Sequence, residues 1–147
     1  MDKLKGAVSA VTGGAAEVTM QVGRQTVYAG DTIEVLVTCR SKGGEVKSKG
    51  VFIDIEGEEL IRIKGDNNRD ESISNRTLSE SIQIAPAVVL GAGQAMEFRG
   101  TFSIPASSPP TYHGRAVKHT VQIRGRLEAF GNDPDSGFSP ITVCTRA

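Results

Sequence analysis

The chain has 147 residues, 38% of them hydrophobic and 23% charged, which excludes a disordered or collagen-like polymer and suits a single folded domain. Its 17 Lys and Arg balance 17 Asp and Glu, so no whole-molecule field draws in nucleic acid or an anionic membrane. No stretch nears the ~18 consecutive apolar residues of a membrane span, and the two cysteines, Cys39 and Cys144, lack the close spacing of a metal or redox motif.

Residues 1–16 begin with lysines and continue as a Gly-, Ser- and Thr-rich apolar run too short for a secretory leader. This segment reads as a flexible lead or an added edge strand, and the protein as cytoplasmic. Alternation then begins. Val18, Met20 and Val22 interleave with Glu17, Thr19 and Gln21, and Ile33, Val35, Val37 and Cys39 interleave with Glu34, Thr38 and Arg40. A period of two places one set on each face of a strand. Val51, Ile53 and Ile55 repeat the pattern, and Leu60 to Lys64 resumes it after Gly57, which predicts a hairpin or a kinked strand.

Ile82 and Ile84 form a short strand before Pro86. Met96, Phe98, Gly100, Phe102 and Ile104 mark another. The longest alternation runs from Arg115 to Phe130, with Val117, His119, Val121, Ile123, Leu127 and Ala129 inward; its length predicts a bend or bulge at Gly125. Ile141 and Val143 close the series. Between the runs lie Gly, Asn, Asp and Pro clusters, such as Ala29-Gly30-Asp31 and Gly65-Asp66-Asn67-Asn68. No window carries a capped helical stripe. The expected fold is all-β: a two-sheet antiparallel sandwich, immunoglobulin-like in architecture, of eight or nine strands.

The order of signals resembles an arrestin-type N-terminal domain, the sandwich of arrestins, bacterial sporulation-control proteins and a retromer-type sorting subunit. Tyr28-Ala29-Gly30-Asp31-Thr32-Ile33 resembles the family's opening turn and strand, with Ala29 where proline is usual. Glu45-Val46-Lys47-Ser48-Lys49-Gly50-Val51 resembles the next, and Glu97 to Pro105 the strand that ends in proline. The most specific passage is Pro109-Pro110-Thr111-Tyr112-His113-Gly114 with the basic strand after it, where His119 stands in place of a common aromatic. The resemblance covers roughly Val18 to Val143. It implies one arrestin-like sandwich over residues 1–147, in a class that usually pairs two, and a non-catalytic adaptor or scaffold that binds a protein tail or loop.

The residues themselves offer few sites. Arg115, Lys118, Arg124 and Arg126 form a basic stripe on the outer face of the long strand, which suits docking of an acidic or phosphorylated peptide or, read plainly, a face neutralised by neighbouring acids. Asp66, Asn68 and Asp70 match positions 1, 3 and 5 of a calcium loop. Glu71 and Thr77 stand where that loop needs glycine and glutamate, so a polar hairpin tip is expected and no metal. Asp133 and Asp135 make a second acidic tip. His113 and His119 lack a third ligand, and no phosphate loop, nucleophile elbow or zinc-protease helix occurs, so neither cofactor nor enzyme activity is expected. The alternative is a self-assembling structural protein, a homo-oligomer joined by edge strands. Absence of Trp disfavours a carbohydrate-binding role.

Overall fold

A computed structural model describes residues 8–13, 15–131 and 133–145, the first of these segments by its backbone. The alternating segments become strands whose buried residues are those the period of two selects. The first sheet has the order β1 (Val8–Gly13), β2 (Ala16–Val22), β4 (Thr32–Ser41), β8 (Ala95–Ser103). The second has the order β3 (Thr26–Tyr28), β11 (Ser139–Cys144), β10 (Val117–Ala129), β5 (Val46–Lys64), β6 (Asp70–Ala85). Two further strands attach to this path, β7 (Val89–Leu90) on β5 and β9 (Tyr112–His113) on β10. A strand at Val8–Gly13 pairs with β2; the residues before it lie outside the described ones. Among the described residues every pair is antiparallel except β3 with β11. Those two come from opposite ends of the chain, so no tight hairpin forces them to run in opposite directions.

The core lies between the sheets. Val18, Met20, Val22, Ile33, Val35 and Val37 of the first face Val51, Ile53, Ile55, Val121, Ile123 and Leu127 of the second, all at most 1% exposed. Each such side chain contributes about 1.5–3 kcal/mol through removal from water. At Ala29-Gly30-Asp31 the chain crosses between sheets, and Gly30 takes φ +90°, a conformation that disfavours a Cβ. The Gly30 amide donates to the Ile104 carbonyl at 2.8 Å, tying this turn to the end of β8.

One local alternative is decided and two expectations need correction. Of the hairpin and the kinked strand expected around Gly57, residues 46–64 form the single strand, and its kink is a register shift between Gly57 and Glu58. The extra residue is Thr77 on β6, since Gly57 pairs with Leu78 and Glu58 with Arg76; a Cβ on Gly57 would sit 2.7 Å from Thr77 Oγ1. Gly125 carries no bulge. The irregularity in β10 falls between Glu128 and Ala129, and Gly125 is a point of close approach where a Cβ would lie 3.0 Å from Val37 Cγ2. Finally, the polar residues from Asp70 onward extend the strand at Ile82 and Ile84 backward to 16 residues. They are exposed on both faces, so no alternation marked them as a strand.

Candidate functional site

The cross-strand register divides the predicted basic stripe in two. Asp54 of β5 stands directly opposite Arg124 of β10 on one side and Ser81 of β6 on the other. Its side chain is only 9% exposed, so the carboxylate needs partners. Arg124 Nε donates to Asp54 Oδ2 at 2.8 Å, Arg126 donates through Nε at 2.9 Å and Nη2 at 3.3 Å, and the Ser81 hydroxyl donates at 2.5 Å. Burial alone would raise the Asp54 carboxyl, but hydrogen bonds from Arg126, Ser81 and Arg124 outweigh it and hold the group below the ordinary carboxylate range. The same bond to Asp54 raises Arg126.

The acidic tip predicted at Asp133 and Asp135 completes this cluster. Asp135 lies 3.5 Å from Arg124 Nη1 and Asp133 lies 3.4 Å from Arg126 Nη1. The loop is held against β10 by the Ser136 amide on the Gly125 carbonyl and the Gly125 amide on Ser136 Oγ, both 2.9 Å. Phe138 covers the Arg124 guanidinium at 4.6 Å and Phe52 covers that of Arg126 at 4.7 Å. With three carboxylates around two guanidiniums, and aromatic lids over both, these two arginines are spoken for within the fold.

Arg115 and Lys118 lie elsewhere. Lys118 pairs in register with Leu60 and with His113, at the far end of β10. Arg115 sits in the turn before β10, whose path is set by the Gly114 amide donating to the Val117 carbonyl and the Arg62 amide donating to the Ala116 carbonyl. These contacts bring Arg62, Arg115 and Lys118 around a recess of about 110 Å³ with Leu60 among its walls. All three cations are exposed, and among the described residues none lies within ion-pair distance of a carboxylate. Arg62 was not singled out from sequence. Only the register of β5 against β10 puts it beside Arg115.

The remaining candidates separate. Asp66, Asn68 and Asp70 are exposed around a short 3-10 turn, Asp66–Asn68, and Asn67 and Asn68 have positive φ. Among the described residues no group of three or more His, Cys, Asp or Glu side chains converges as a metal would require. His113 points outward, while His119 is fully buried, with Nδ1 2.9 Å from the Pro110 carbonyl and Nε2 2.6 Å from Thr77 Oγ1. A carbonyl only accepts, so Nδ1 carries the proton and Nε2 accepts from the threonine hydroxyl. Burial pushes the Cys39 thiol up to about 12, which leaves it a small core hydrophobe rather than a nucleophile. No helix among the described residues is long and apolar enough to cross a membrane.

Comparison with known proteins agrees with this architecture. The solved structure of Spo0M, a sporulation control protein from Bacillus subtilis, superposes with a TM-score of 0.66 at 18% identity, covering 88% of this chain and 49% of that one. The chain thus spans about half the length of that relative. No curated protein matches in sequence. The family model described as SpoOM protein matches residues 4–136. The arrestin-like sandwich of the sporulation-control type is therefore what this sequence encodes, and the chain belongs to the Spo0M family.

Proposed function

We propose that this chain is a non-catalytic regulatory module of the cytoplasm, an adaptor that binds an acidic or phosphorylated segment of a partner protein at the recess between β5 and the turn before β10. The observation that carries this reading is the grouping of Arg62, Arg115 and Lys118, three exposed cations without acidic partners among the described residues, around a recess that includes the apolar Leu60. Arginine forks suit carboxylate and phosphate oxygens, and a nearby apolar wall excludes water from one side of such a contact. Arg124 and Arg126 do not share this role, because Asp54, Asp133 and Asp135 already neutralise them. The family supports a regulatory setting, since the relative of solved structure is described as a sporulation control protein.

Fluorescence anisotropy against arrays of acidic and phosphorylated peptides tests it. The wild-type protein binds a subset, with affinity that falls as salt rises, and the triple variant Arg62→Glu, Arg115→Glu, Lys118→Glu loses that binding while keeping its circular dichroism spectrum. Equal binding by the triple variant, or no binding by the wild type to any acidic peptide, removes the reading.

A further inference from the structure

Among the described residues β6 is the last strand of its sheet, and from Asp70 to Arg76 no strand pairs with its outer side. Its other end is covered, since Ile84 packs so closely on Gly100 of β8 that a Cβ there would sit 2.4 Å away. The open stretch therefore presents a row of backbone donors and acceptors to water, which is a template for another strand. It also carries apolar surface. Val117, Ile61 and Ile73 lie in one row across β10, β5 and β6, on the face that farther along buries Val121 and Ile123. The first sheet does not cover this end: Ile73 remains 50% exposed and the neighbouring Ile63 42%.

The charges along the edge are arranged about Ile73. Asp70 and Glu71 precede it, and Arg76 follows it at the same separation as Asp70 precedes it. Charges that serve only to repel other strands need no such order. Antiparallel pairing of this stretch with an identical one, with the two-fold axis at Ile73, sets Asp70 against the other copy's Arg76, Glu71 against Asn75, Ser72 against Ser74 and Ile73 against itself. No like charges meet. A parallel in-register pairing would instead set Asp70 against Asp70 and Arg76 against Arg76, which is unfavourable. Arg76 already contacts Glu56 at 3.0 Å, but its side chain is 49% exposed and its five donors leave room for a second carboxylate.

We infer that β6 pairs with β6 of a second copy of this chain, antiparallel about Ile73, to form a two-fold dimer whose second sheet runs continuously through both subunits. The apolar row then extends from Val117 through Ile61 and Ile73 into the same three residues of the other subunit, and the two basic recesses come to lie on one assembly. An isologous contact of this kind closes on itself and does not propagate into a fibre.

Light scattering across a dilution series reads the mass. The wild type passes from the mass of two chains to that of one on dilution, and Ile73→Lys, which sets two like charges side by side at the axis, shifts that midpoint at least about tenfold toward monomer with its circular dichroism unchanged. Register is read by crosslinking in a Cys144→Ser background. Directly opposed residues on paired strands have Cβ atoms about 4.5–5.5 Å apart, so Ile73→Cys yields a covalent dimer on mild oxidation and Ser79→Cys does not. A single-chain mass at every concentration overturns the inference and leaves the peptide-binding reading standing. A dimer unaffected by Ile73→Lys and not captured by Ile73→Cys overturns it as well.

Discussion

Gly125 of β10 and Val37 of β4 meet across the sandwich so closely that a Cβ on the glycine would lie 3.0 Å from one Val37 methyl and 3.2 Å from the other. This close approach of the two sheets is possible because one of them has no side chain at the contact. Gly125→Val is therefore expected to destabilise the protein by about 1–3 kcal/mol through overpacking. Val37→Ala in the same chain should recover part of that loss, although alone it is itself destabilising. Urea midpoints of the two single variants and the double variant measure the coupling.

The Asp54 cluster predicts an acid-sensitive contribution to stability. Its carboxyl is held below the ordinary range in the folded protein, so the stabilisation is fully present above the unfolded value of about 3.9 and is lost as pH falls through the lower folded value. Asp54→Ala leaves two half-buried guanidiniums short of their shared acceptor and should cost on the order of 3 kcal/mol at neutral pH. Asp54→Asn should flatten the decline of stability below about pH 4 relative to the wild type. A decline of equal steepness in both proteins, followed by urea denaturation at each pH, would remove Asp54 as its source.

His119 ties β10 to β6 through Thr77 and to the loop before β9 through Pro110. His119→Phe strands the Thr77 hydroxyl and the Pro110 carbonyl and should cost about 1–3 kcal/mol. Thr77→Val removes one of the same bonds, so the double variant should lose less than the sum of the two. Additive losses in thermal denaturation would show that the 2.6 Å contact between Thr77 and His119 contributes nothing to stability.

Alternation alone determined which residues of β2, β4, β8 and β10 enter the core, because a strand with one buried face must repeat every second residue and those segments do. The passage from Pro109 to Val121 also carried the arrestin-like type, which the family match bears out. The strand from Asp70 to Arg76 was not legible, since it is an edge exposed on both faces and no burial constrains its pattern. Gly125 was visible as an anomaly but misread, because sequence cannot distinguish a bulge from a close approach.

The basic stripe marks the limit most clearly. Side-chain period placed Lys118, Arg124 and Arg126 on one outer face, and the sequence contained every acid needed to neutralise them. Only the register of β10 against β5, and the return of the loop carrying Asp133 and Asp135, decided that Arg124 and Arg126 are paired. The same register set Arg62 beside Arg115 and Lys118, with no acid in reach among the described residues. Sequence determines which face a charge occupies, since that follows from local geometry. Tertiary structure decides which charges remain available, because pairing depends on neighbours that lie up to dozens of residues away along the chain.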